Sequence, residues 1–148
     1  MIEVEIEDQA WSRALPGAEA VAERAARAAL ASDASANVSL LLTSDDVVRD
    51  LNARFRGKDA STTVLSFPAP ESARPHLGDI ALAYGVCARE ASEQGKPLAH
   101  HVTHLVAHGV LHLLGYDHER EDEAEEMEAL GRRILAGLGI PDPYEAAA

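Results

Sequence analysis

The sequence has little of several things, and each shortage narrows what the chain can be. A single cysteine, Cys87, excludes an internal disulfide framework and fits a reducing compartment. It sits in an apolar helical stretch, where a buried, inert thiol is expected. No apolar run approaches membrane-spanning length, and the chain starts with alternating acidic and apolar residues instead of a basic, apolar leader. A cytoplasmic protein with no membrane partner is the expectation. Internal repeats, low-complexity tracts and inter-domain linkers are absent from the sequence. Basic charge is scarce too, with 13 Lys and Arg against 25 Asp and Glu and a net charge of -12. That balance argues against a generic, salt-driven nucleic-acid binder.

What is present describes an ordinary globular chain. Its 148 residues, 47% hydrophobic and 26% charged, suit one domain over residues 1–148 with a sizeable core. The charge is uneven. Residues 119–128 carry seven acids and only Arg120, a net of -6, whereas residues 49–58 hold Arg49, Arg54, Arg56 and Lys58 against Asp50, a net of +3. An acidic protein can therefore still present one basic patch.

Hydrophobic periodicity predicts four strands and about five helices. Residues 2–7 alternate apolar and acidic residues, as a half-buried strand does. Trp11 reads as a packing anchor in a loop. Pro16-Gly17 opens an alanine-rich helix to about Leu30, with Val21, Ala25 and Ala28 on its shallow apolar stripe. Residues 38–42 form a central strand, and Thr43-Ser44-Asp45-Asp46 caps a helix that ends near Arg56-Gly57. Residues 62–67, stopped by Pro68, and 79–83 give two more strands around a proline-stiffened surface loop. Helices follow at 86–94, 98–114 and 121–138. The first two strands can pair in parallel across a helical crossover and the last two antiparallel, so the fold class is α+β with a four-stranded mixed sheet.

The chemistry concentrates in His108-Gly109-Val110-Leu111-His112-Leu113-Leu114-Gly115-Tyr116-Asp117-His118. Four-residue spacing puts His108 and His112 on one helix face about one turn apart. Gly115 can take the left-handed conformation that ends a helix, turning His118 back towards the same point. Three imidazoles leave one coordination position open, the arrangement of a catalytic metal, which lowers the pKa of bound water to about 7 and polarises a phosphoryl or carbonyl oxygen. Zinc suits this donor set best, and nickel, copper and iron also accept imidazole. The spacing matches the metzincin peptidase pattern H-E-x-x-H-x-x-G-x-x-H, except that Gly109 stands where the peptidases place their general-base glutamate.

The run from His108 to His118 resembles the H-G-x-L-H-L-x-G-Y-D-H motif of the YbeY family of bacterial endoribonucleases and rRNA maturation factors. Residues 51–59, Leu51-Asn52-Ala53-Arg54-Phe55-Arg56-Gly57-Lys58-Asp59, and 63–68, Thr63-Val64-Leu65-Ser66-Phe67-Pro68, are similar to that family's L-N-x-x-[YF]-R-x-K-D and T-[DN]-V-L-S-F-P segments. Gly78-Asp79-Ile80 and Glu125-Glu126-Met127-Glu128 match as well. The resemblance implies a mixed sheet with flanking helices, one zinc-type ion held by His108, His112 and His118, and metal-dependent cleavage of single-stranded RNA. It also implies work in 16S rRNA 3'-end maturation and ribosome quality control, with the small ribosomal subunit, ribosomal protein uS11 and the GTPase Era as partners. The family's essential arginine maps onto Arg56, whose guanidinium suits a phosphate or the charge on a transition state. Arg54 and Lys58 are lesser candidates for tracking the RNA backbone. Thr63 departs from the family's usual Asp or Asn, leaving its hydrogen bonding open.

Smaller roles remain at the margins of the motif. Asp117 can orient a ligand or accept a proton, or simply form the turn. Tyr116 can stack or cover the ion. His104, one turn before His108, is a possible further ligand or a core residue, and His76, His100 and His101 read as surface residues. Two rivals stand beside the nuclease: a zincin-like metallopeptidase, which needs another carboxylate near the water, and a non-enzymatic ribosome-assembly factor whose metal is closed by a fourth ligand such as His104.

Overall fold

A computed structural model of the chain describes residues 1–31, 35–116 and 121–142. Strands β1 (Ile2–Ile6), β2 (Asn37–Thr43), β3 (Val64–Pro68) and β4 (His76–Ala83) form one sheet in the order β1-β2-β4-β3. β1 and β4 both run parallel to the central β2, and β3 lies antiparallel to β4 at the edge. The expected mixed sheet is thus present. Among the described residues, six α-helices surround it: α1 (Ala10–Ala14), α2 (Ala18–Ala29), α3 (Asp45–Arg56), α4 (Tyr84–Glu93), α5 (Leu98–Leu113) and α6 (Glu121–Gly137). None of them is long and apolar enough to cross a membrane.

Three local expectations need correction. Trp11 lies in α1, a one-turn helix too short for periodicity to reveal, although it is the packing anchor expected: it is fully buried and its indole donates to the Thr43 carbonyl at 2.9 Å. β4 starts at His76, shortening the proline-rich loop, whose middle holds a single 3-10 turn at Glu71–Ala73. Pro68 does end β3, as its last residue rather than the first beyond it. Its ring is tolerated because Thr63 accepts from Ala83 N–H and Ala69 donates to Leu77, so the odd-numbered residues of β3 bond to β4. The even-numbered ones turn their backbone groups to the free edge, where a missing N–H breaks no ladder bond.

The two sheet faces are covered unequally. α2 and α5 pack on the face formed by Val38, Leu40, Leu42, Ile80 and Leu82, with α6 against α5. Ala18, Ala22, Ala25, Ala26 and Ala29 are the buried residues of α2, a strip rotated slightly from the predicted one because uniform alanine offers no size contrast to read. On the opposite face α3 packs through Val48 and Leu51 on a smaller cluster with Leu41, Leu65, Phe67, Ala81 and Ala83. Ser44 caps α3 by accepting from Val47 N–H, and Asp45 reaches across to accept from Val86 N–H at 3.1 Å, capping α4, whose own start has no capping side chain.

Candidate active site

The buried face of α5 includes Val102, Leu105, Val106, Val110 and Leu113, and beside it runs the expected row of half-buried histidines. The His108 and His112 rings stand 4.7 Å apart between centroids at 82°, and their Nε2 atoms face each other at 3.1 Å. A tetrahedral ion with bonds of about 2.0–2.1 Å separates adjacent donor nitrogens by roughly 3.3–3.4 Å. The pair therefore fits two ligands of one ion. Among the described residues no group of three or more His, Cys, Asp or Glu converges on a metal position, and the predicted third ligand, His118, lies outside the described residues, as does Asp117. What leads towards them is described: α5 ends at Leu113, Gly115 adopts φ +103, and Gly115 and Tyr116 donate back to the His112 and Leu111 carbonyls. This is the predicted glycine-ended helix.

Gly109 has a structural reason of its own. A Cβ there would meet Ile80 Cδ1 at 3.0 Å and Ser66 Oγ at 3.2 Å, so α5 fits tightly on β3 and β4 at this position and a side chain would make Ile80 and Ser66 give way. Between α5 and the β3 edge lies a cleft of about 620 Å³. His108, His112, Tyr116, Ser66 and Arg56 line it, and no carboxylate is among its described lining residues.

Arg56 reaches this cleft from the other side of the sheet. It is the last residue of α3, which Gly57 ends at φ +68. Its Nη2 donates to the outward-turned Ser66 carbonyl on the free edge of β3, and its guanidinium carbon lies 5.8 Å from the Phe67 ring centroid. The site thus wraps around one strand edge, with histidines from α5 on one face and a guanidinium from α3 on the other. The rest of the basic cluster is arranged differently. Arg54 pairs with Asp50 at 3.1 Å, Lys58 is exposed, and neither is among the residues lining the cleft. Arg49 grips Asp59 through two hydrogen bonds of 2.7 and 3.2 Å, which hold that carboxyl below the usual carboxylate range.

Three supporting contacts were not legible in the sequence. Asn52, buried inside α3, donates to the Ala60 carbonyl at 2.8 Å and accepts from Lys58 N–H, tying down the turn after Arg56. Thr63 donates to Glu90 Oε2 at 2.7 Å, which settles its hydrogen bonding. Glu90 Oε1 is in turn 2.9 Å from His101 Nε2. His101 is therefore no surface residue, being 3% exposed. The spacing 101, 104, 108, 112 puts it on the histidine face of α5, and α4 covers that end of the row; only counting upstream of His104 would have found it. His76 and His100 are half-buried. Burial, aided by His108, Lys96 and His101, pushes the His104 imidazole down to about 4, so it is neutral at pH 7. Cys87 is fully buried with its thiol pushed up by desolvation, as expected of an inert cysteine.

Comparison with known proteins follows the same lines. Residues 3–139 match the family model described as Endoribonuclease YbeY. Curated relatives named Endoribonuclease YbeY include one from Rhodopseudomonas palustris, 54% identical over 96% of this chain and 80% of its own. Another from Azorhizobium caulinodans is 53% identical over 97% and 95% of the two chains. The solution structure of a Thermotoga maritima protein superposes with a TM-score of 0.62 at 26% identity, covering 98% of this chain and 99% of that one.

Proposed function

The chain belongs to the endoribonuclease YbeY family, and from that premise we propose that it is a metal-dependent hydrolase cleaving single-stranded RNA, working on the 3' end of 16S rRNA and in ribosome quality control. The observation that carries the metal-dependent reading is that the convergent His108 and His112 nitrogens and the Arg56 guanidinium share one cleft. His108, His112 and, by sequence, His118 hold one zinc-type ion per chain. When bound, that ion supplies positive charge beside a phosphoryl oxygen and lowers the pKa of water.

The chain's own residues divide the remaining work. Arg56 spends one N–H on Ser66, which fixes the guanidinium plane, and directs its other donors at non-bridging phosphate oxygens. Charge that builds on those oxygens as phosphorus is attacked is met by a group already in place. Tyr116 and Val64 wall the cleft. Asp117 orients a ligand, and Arg54 and Lys58 follow the RNA backbone outside the cleft. A peptidase reading is disfavoured by Gly109, which stands where the peptidases place their general-base glutamate and which fits closely against Ile80 and Ser66. Ribosomal protein uS11 and the GTPase Era are the partners this reading entails, in the cytoplasm.

The test pairs metal analysis with cleavage of a single-stranded RNA. Wild-type protein should carry one zinc-type ion per chain and cut the RNA, whereas Arg56→Glu should keep the ion and lose the cutting. Full cleavage by a pure Arg56→Glu protein sinks the assignment, and cleavage by metal-free wild type sinks the metal's role.

A further inference from the structure

Across the β3 edge from the histidines lies a second hollow, a groove of about 710 Å³ between α3 and the thinly covered sheet face. Leu51 and Phe55 of α3 form one wall, Phe67 of β3 another, and Ala81 and Asp79 of β4 the floor, while Arg56 and Ser66 line both this groove and the cleft. The two hollows therefore adjoin along the β3 edge, with Arg56 between them.

Phe55 is the anomaly. The apolar stripe of α3 buries Val48 completely and Leu51 in part, yet leaves Phe55 68% exposed. Among the described residues only Met1 is a comparably exposed large apolar side chain. The Phe55 ring is not loose, because it meets Phe67 edge-on at 5.7 Å between centroids and 68°. It is a braced ring that is largely open to water, next in sequence to a cation. That combination matches single-strand recognition, in which aromatic faces stack bases while basic groups hold the backbone. The charge pattern sets the orientation. Asp79, paired with His76 at 3.4 Å and directly opposite Phe67 in the sheet, repels phosphate from the groove floor, whereas Arg56 attracts it at the mouth.

We propose that this groove is a nucleobase subsite, in which the base next to the phosphate held by Arg56 turns inward and stacks on Phe55. The proposal rests on the ribonuclease reading and adds to it the part of the substrate that lies beyond the β3 edge. A single-stranded RNA then crosses the edge of β3 with its backbone on Arg56, its scissile phosphate on the histidine side and one base in the groove. Paired RNA cannot supply that base, because its bases are already stacked and paired.

Binding of a short fluorescent single-stranded RNA, read before cleavage proceeds, tests this. Phe55→Ala and Phe55→Leu should weaken binding by about 5- to 150-fold, and the loss should shrink when the RNA carries an abasic position in place of the stacked base. Phe55→Trp should bind as well as wild type, and its new indole should be quenched by saturating RNA. The native indole, Trp11, is fully buried and gives a constant background. The tryptophan variant keeps an aromatic ring, so it answers even if the alanine variant folds poorly. Wild-type affinity in both Phe55→Ala and Phe55→Leu, or an unquenched indole, overturns the subsite. If Arg56→Glu alone abolishes binding, the subsite falls and the ribonuclease reading stands; if wild type binds no single-stranded RNA, both fall.

Discussion

Gly109 of α5 lies so close to Ile80 of β4 that a Cβ on the glycine would come within 3.0 Å of the isoleucine Cδ1. The residue that separates this motif from a peptidase signature is thus also a point where the histidine-bearing helix rests closely on the sheet.

Restoring the peptidase glutamate should therefore fail twice. Gly109→Glu forces a long acidic side chain into the contact with Ile80 and Ser66, and overpacking of this kind costs about 1–3 kcal/mol, more than the roughly 1 kcal/mol that leaving glycine adds to helix propensity. Urea unfolding should show a lower midpoint with little change in slope, and casein or peptide substrates should remain uncut.

Removing one ligand should be decisive for the ion. His112→Ala leaves His108 without the ring 3.1 Å away, and metal content measured after gel filtration should fall to background together with RNA cleavage. Retention of one tightly held ion per chain in this variant would show that the pair is not the site.

Arg56→Lys separates charge from shape. A lysine keeps the positive charge but cannot both bond Ser66 and present a planar fork to phosphate. Losing an oriented donor to developing charge typically costs about 10²–10³ in kcat, so kcat should fall by that order with metal content unchanged. A wild-type kcat would mean that Arg56 acts only as a point charge.

The Thr63–Glu90–His101 connection should contribute to stability without touching metal affinity. Thr63→Val leaves Glu90 Oε2 without its 2.7 Å donor, and loss of a hydrogen bond to a charged group that water can still reach should cost about 1 kcal/mol. Denaturant unfolding measures this, and metal titration should be unchanged.

Asp45→Ala should destabilise at a distance. It removes the cap on Val86 N–H from an element remote in sequence, at a cost of about 1 kcal/mol, and hydrogen exchange should rise chiefly in the first turn of α4.

Much of this protein was determined by local pattern. Period-two alternation at residues 2–6, the Ser44 cap and the His108-to-Gly115 spacing need only the geometry of a strand or helix to be read, so the strands, the long helices and the histidine row follow from the chain alone. The family, too, is written in contiguous runs of residues. Tertiary structure decided whatever depends on partners far apart in sequence. Trp11 is buried with its indole N–H on the Thr43 carbonyl, 32 residues away in sequence, and His101 is buried where Glu90 of α4 meets it. Asp45 caps a helix other than its own. Arg56 differs from Arg49 and Arg54 only in where its helix ends against β3, a relation of two elements that no spacing records. The exposed Phe55 looks in sequence like one more core residue on an apolar stripe, and only the incomplete cover of the sheet leaves it open to water beside a groove.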